Sequence, residues 1–257
     1  MKKFLLTLVV IFLIGGISEA VPTTVVVRAK AKDAKFIGTM MGGALVVIRN
    51  SETGEILAKG LTKGGTGDTK KIMIEPVRRG APIADNSSAK FEAVIDIAEP
   101  VLATIEVTAP YAQRQSAAKT TTQFWLIPGK DIVNEDGITM DVYGFSIDVL
   151  APQAHEVIKL AGKEKAEVVV RTNVVMMCGC PIMPGGIWDA NKYEVKALIK
   201  HNGAPVEELP LSFAGKTSTF EGTLQVSKEG AYEVTVYAFD PATGNSGVDR
   251  TTFMVTK

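Results

Sequence analysis

Short alternations of apolar and polar residues cover almost all of the chain after residue 20. From Thr23 to Lys32, Val25, Val27, Ala29 and Ala31 fall on one side. A period of two marks a strand with one face buried. Ala44 to Arg49, Glu55 to Leu61, Lys71 to Glu75, Lys90 to Ile97, Ala103 to Thr108, Gln123 to Ile127 and Ile138 to Val149 are further strand-like runs. Each is bounded by Gly, Pro, Asn or Asp, the residues that end strands in turns. Tyr111 to Thr121 is polar and rich in Ala, Ser and Thr, and reads as a loop or a short exposed helix. The pattern breaks at Leu150-Ala-Pro-Gln-Ala154. It then resumes as seven runs: His155 to Leu160, Ala166 to Val175, Tyr193 to Lys200, Val206 to Phe213, Thr217 to Val226, Gly230 to Asp240 and Gly247 to Val255. Many short strands with few helices predict an all-β chain of two consecutive β-sandwich domains, residues 21–150 and 151–257.

Two stretches carry family resemblances. Gly230-Ala-Tyr232 opens a cleanly alternating strand, Ala231 to Ala238, and the turn Asp240-Pro-Ala-Thr-Gly-Asn245 follows it. This resembles the sixth strand and following hairpin of an immunoglobulin-like domain. Gly43 to Thr62, with Thr53-Gly54 as its turn, is followed by Gly64-Gly-Thr-Gly-Asp-Thr69. That pattern is similar to carboxypeptidase-regulatory-like (transthyretin-like) β-sandwich modules, which run strand, Thr-Gly turn, strand, then a Thr/Asp/Gly-rich turn. The resemblance implies an accessory or structural module and brings no catalytic residues. The long insert from Glu75 to Lys90 departs from a compact module of that kind.

Residues 1–20 predict the compartment. Lys2 and Lys3 precede an apolar run from Phe4 to Ile14, and Ser18 and Ala20 supply small residues for cleavage before Val21. This is the pattern of a secretory signal peptide. The run is short for a membrane span, which needs about 20 residues. The expectation is a mature chain in the periplasm or outside the cell, with no membrane span. The full chain has 28 basic and 28 acidic residues. Such a balance gives no electrostatic reason to bind nucleic acid. A partner is then expected to be another exported protein.

The chemistry concentrates in Met176-Met-Cys-Gly-Cys-Pro-Ile-Met-Pro184, which holds both cysteines and three of the nine methionines. Thiolate and thioether are soft-metal ligands, so copper as Cu(I) is the cofactor this donor set suits best. Cys178 and Cys180 admit three readings: a disulfide that stiffens a loop, a metal site, or a redox-active pair. In an immunoglobulin-like sandwich the loops after the second and sixth strands share one end with the start of the first. That topology gathers Met176, Met177, Cys178, Cys180, Met183 and His155 as candidate ligands, and sends His201 to the far end. Strand alternation predicts that only one of Met176 and Met177 faces the core. Met40 and Met41 read as core packing at a strand end. The acidic run Asp131, Asn134, Glu135, Asp136 and Asp141 is calcium-like in composition, but its spacing is not that of an EF-hand. No phosphate loop or nucleophile elbow is present. The sequence therefore points to a secreted binding or accessory protein. The alternatives are a structural adhesion or assembly module with a disulfide-stiffened loop, and a thiol-disulfide redox protein.

Overall fold

The computed structural model describes residues 19–257. The expected signal peptide lies almost wholly outside the described residues. The remainder is all-β and forms two β-sandwiches. In the first, a sheet of order β4-β1-β7 faces a sheet of order β3-β2-β5-β6. Its strands are β1 (Val21–Ala31), β2 (Leu45–Asn50), β3 (Ile56–Leu61), β4 (Phe91–Ile97), β5 (Val101–Ala109), β6 (Ala118–Leu126) and β7 (Ile138–Val142). β1 runs antiparallel to β4 and parallel to β7. Val25, Val27, Ala29 and Ala31 are fully buried between the sheets, as the alternation predicts.

The second sandwich contains β8 (Phe145–Ala151), β9 (Glu156–Lys159), β10 (Ala166–Met176), β11 (Glu194–His201), β12 (Ala204–Pro210), β13 (Ser212–Phe213), β14 (Thr219–Val226), β15 (Gly230–Phe239) and β16 (Ser246–Thr256). One sheet is β8-β10-β14-β13 and the other β12-β11-β15-β16-β9. With β8 as strand A, these are the A-B-E-D and C-F-G sheets of an immunoglobulin fold, with β12 added beside strand C. Tyr232, near the start of β15, donates its hydroxyl to the Lys228 carbonyl at 3.1 Å, the tyrosine corner of that fold. Asn202 (φ 46°) and Gly203 (φ 83°) form the expected tight turn between β11 and β12.

Five local expectations change. Val206 to Phe213 is two strands, β12 and β13, which lie in opposite sheets. Ile138 to Val149 is two strands, not one. The chain bends at Tyr143-Gly144, so β7 joins the first sandwich and β8 the second. Lys71 to Glu75 is a single wide helical turn instead of a strand, because Asp68 caps it: its carboxylate accepts the Lys71 N–H at 2.8 Å and its carbonyl the Ile72 N–H at 3.1 Å. The Thr-rich end of Tyr111 to Thr121 belongs to β6, with only Arg114–Ser116 as a 3₁₀ turn before it. Three successive β-branched threonines favour the pleated conformation over a helix. Finally, β1 is buried on both faces. The insert after β3 folds across its outer side, where Phe36, Ala84 and Ala89 form a small second core with Ile72 and Ile83.

Candidate functional site

The Cys/Met loop lies at the joint between the sandwiches. β10 ends at Met176, opposite Phe145 of β8, and the chain turns at once. The Gly179 N–H donates back to the Met176 carbonyl at 2.7 Å and the Met176 N–H to the Cys180 carbonyl at 3.2 Å. Cys178 and Cys180 are joined as a disulfide, their Cα atoms 5.4 Å apart. The loop is then stitched to the turn before β14: Ile182 and the buried Ser218 exchange hydrogen bonds, Ile182 N–H to Ser218 Oγ at 3.0 Å and Ser218 N–H to the Ile182 carbonyl at 2.8 Å.

The sulfur atoms face inward. Met176 is 0% exposed, Met177 1%, Cys178 2% and Cys180 5%. Both methionines are buried because the strand stops between them, which releases Met177 from the alternation. Met177 packs its methyl over Gly144, and Met41 of the first sandwich lays its sulfur over Gly179. Met41, Phe145, Met176, Met177, Cys178, Cys180 and Trp188 belong to one continuous buried apolar cluster with both sandwich interiors.

Two expected members are elsewhere. Met183 is 39% exposed and folds over Gly186 on the outside of the loop. His155 is exposed, with φ 64°, in the crossing from β8 to β9. The first strand of the second sandwich is β8, so the residue at the shared end is Gly144. His155 sits beyond the opposite end of β8, roughly 20 Å of strand away. His201 also lies away from the loop, its ring 4.7 Å from Tyr232.

Polar contacts complete the joint, and little in the residue pattern points to them. Trp188 Nε1 donates to the Asp33 carbonyl at 2.9 Å, across 155 residues of chain. Asn245, fully buried, accepts the Gly144 N–H at 3.0 Å and donates to the Lys32 carbonyl at 3.0 Å. Its place in a Thr-Gly-Asn turn reads as ordinary turn chemistry. Tyr193 meets Phe145 edge to face at 5.1 Å, and burial, with Asp240 and Asp33 nearby, pushes its phenol well above the usual range.

Among the described residues, no group of three or more His, Cys, Asp or Glu side chains is placed to hold a metal. The acidic run is committed otherwise. Asp131 accepts the Thr24 N–H, Asp136 accepts those of Ile83 and Ala84, and Asp141 pairs with Lys30 and Lys32. Also among the described residues, no helix is long and apolar enough to cross a membrane.

The joint carries a pH dependence. Burial and then the neighbouring Asp240 raise the Asp33 carboxyl above its ordinary value. A carboxyl raised in this way holds its proton more tightly in the folded chain. It favours folding at low pH, and that contribution is lost as the pH climbs through the raised value. Asp85 is the opposite case: hydrogen bonds from Ser87 and Ser88 hold it at about 2, so its contribution is lost as the pH falls toward that value. Asp33→Asn keeps a residue that tolerates the positive φ of 55°. It is expected to raise the melting temperature at pH 7. The gain should shrink to nothing as the pH falls below 3.8, where both forms are neutral. Scanning calorimetry of both proteins from pH 7 to pH 3 checks this; a gain that persists at pH 3 contradicts it.

No family model matches the chain, and no curated relative matches it. Among solved structures, it is similar to the fibronectin(III)-like modules of CbhA from Clostridium thermocellum, with 11% identity, a TM-score of 0.30, and coverage of 82% of this chain and 77% of that one. It is also similar to a chimeric titin Z1Z2, with 10% identity, a TM-score of 0.24, and coverage of 93% and 98%. An engineered protein aligns at 16% identity and a TM-score of 0.30 over 51% of this chain, which spans 24% of that protein's length. These scores are low, and the sandwich assignment rests on the strand order described above.

Proposed function

We propose that this is an exported, non-enzymatic two-sandwich module for binding or assembly, and that its Cys/Met loop forms the disulfide-stiffened centre of the joint. The burial of the loop is the observation that carries the reading. Cys178 and Cys180 are 2% and 5% exposed, joined to each other, and packed against Met41 of the other sandwich. A loop built to present sulfur to a ligand would leave it open to solvent. A rigid joint fixes the relative placement of two outer surfaces, which suits a module that holds another exported protein. The disulfide supports an oxidising compartment, periplasmic or extracellular, and agrees with the pattern of residues 1–20. For the first sandwich, the succession of β2, the Ser51–Gly54 turn, β3 and a Gly-rich turn supports the carboxypeptidase-regulatory-like reading.

A soft-metal role is the second reading, favoured by the thioethers of Met41 and Met177 beside the cysteine pair. A disulfide offers no thiolate, and thiolate is the form that binds Cu(I). The pair would first have to accept two electrons and two protons from a thiol or phosphine reductant. One experiment separates the readings. Thiols are titrated in native and denatured protein with and without reductant, and a chromogenic Cu(I) chelator is then offered to oxidised protein, reduced protein and Cys178→Ser/Cys180→Ser. The joint reading expects no thiol in the native protein, two per chain after denaturation and reduction, and no copper capture. Capture of about one copper per chain by reduced native protein, lost in the double serine variant, would replace it with the metal reading. Rapid reduction of the native protein by a dithiol would favour the redox alternative.

A further inference from the structure

Eight strands lie at the edges of the four sheets in the described residues. A free edge is a template for another strand, and proteins usually block it with charge, proline, shortness or a cover. β12 carries Pro205, Glu207, Glu208 and Pro210 within seven residues. β4 carries Glu92 and Asp96, and β3 carries Lys59 and Gly60 in six residues. β13, β9 and β7 are two, four and five residues long. β8 is covered by Gln115 and Ser116, which hydrogen-bond the Ile147 backbone.

β6 has none of these protections in strength. It runs for nine residues, Ala118–Leu126, with Lys119 as its one charge and no Pro or Gly. Thr120, Thr121, Thr122, Phe124 and Trp125 give it high strand propensity. Phe124 is 41% exposed and Trp125 57%. Beside it, a groove of about 490 Å³ opens between β6 and β7, lined by Thr120, Thr122, Phe124, Ile138 and Met140 among others.

We propose that β6 is a self-association edge, at which a second copy of this chain adds its own β6 antiparallel about a twofold axis through Thr122. The sequence is self-complementary in that register. On the outer face, Lys119 comes opposite Trp125 and Thr121 opposite Gln123. On the inner face, Ala118 comes opposite Leu126 and Thr120 opposite Phe124. The ammonium of Lys119 meets an exposed indole, a favourable cation–π pair. Its charge is already balanced by Glu106 at 2.9 Å. Phe124 of each copy arrives beside Thr120 of the other, over the groove. A slip of one residue would exchange the two faces and lose every one of these pairs. The contact uses the same patch on both copies, so it closes at a dimer. It joins two four-stranded sheets into one of eight strands.

The test uses sedimentation velocity on the full mature chain from about 1 to about 200 μM. Two variants are compared with it, Thr121→Lys/Gln123→Lys and Thr121→Glu/Gln123→Glu. Both positions are exposed, and circular dichroism verifies that the fold persists. The wild type is expected to reach twice the monomer mass. Each variant should place like charges opposite one another and weaken association by roughly tenfold or more. An equimolar mixture of the two should restore the dimer. A wild type that stays monomeric throughout overturns the proposal and leaves β6 to a strand from another protein. A dimer that both variants leave intact overturns it as well, since the contact is then elsewhere.

Discussion

Arg28→Ala is expected to destabilise the protein by about 3 kcal/mol or more. Arg28 stands in the middle of β1 and is only 5% exposed. Its Nε donates to the Glu135 carbonyl at 2.8 Å, and its Nη1 donates to the carbonyls of Ser88 and Ala89. The guanidinium also lies over the Phe36 ring, 5.6 Å from its centroid. One side chain thus ties β1 to the end of the long insert and to the loop before β7. Burial lowers its pKa, and Asp136 and Asp85 act against that; an arginine remains charged at neutral pH regardless. Truncation removes the donor and leaves three carbonyl groups without their partner in a space closed by Phe36, Ala84 and Ala89. Lysine cannot replace the planar fork that reaches these carbonyls from separate nitrogens, so Arg28→Lys should recover only part of the loss. Urea unfolding of the wild type, Arg28→Ala and Arg28→Lys measures both effects. A loss below 1 kcal/mol for Arg28→Ala would mean that the insert is not anchored through this residue.

The same residue shows why some of the fold was legible and some was not. Alternation placed Val25, Val27, Ala29 and Ala31 in the core correctly, because the sheet opposite them is the main source of their burial. It left Arg28 on a face that looked solvated. Whether that face is wet depends on the insert after β3, whose return across β1 has no local signature. Lys71 to Glu75 illustrates a second limit. Its short apolar run between charged ends suits a strand, but Asp68 just ahead of it supplies a cap, and over five residues the cap decides. In the second sandwich the late strands and the Gly-Ala-Tyr232 entry into β15 were readable, since both are local patterns, whereas the Tyr232 bond to Lys228 came only with the structure.

For the loop, the density of sulfur in the sequence says little about its state. The end of the sandwich it occupies followed from strand order, and the expectation failed for His155 because β8 precedes it as the first strand. Burial was not legible, since the groups that cover the loop come from Met41, Asp33 and Gly144, all distant in sequence. The backbone bend that creates the joint, Tyr143-Gly144, lay inside what read as one continuous strand.

That bend supports the second large prediction. Gly144→Ala should cost roughly 3 kcal/mol, from backbone strain and overlap together. Gly144 has φ 129°, where side chains other than hydrogen are rarely found, and an added Cβ would sit 2.7 Å from the Ser246 carbonyl oxygen and 2.6 Å from the Met177 methyl. The methyl can move; the carbonyl belongs to the first residue of β16 and cannot move without disturbing the pairing of β15 with β16. Any shift also pulls the Gly144 N–H from Asn245, whose side-chain NH2 holds the Lys32 carbonyl of the first sandwich. Gly54→Ala separates the two contributions, because Gly54 also has positive φ, 76°, but nothing lies within 4 Å of its Cβ position. It should lose only about 1 kcal/mol. The difference between the two variants in denaturant unfolding reports the close packing at the joint. If the two lose the same stability, the sandwiches are not held as tightly at Gly144 as the contacts of Met177, Ser246 and Asn245 require.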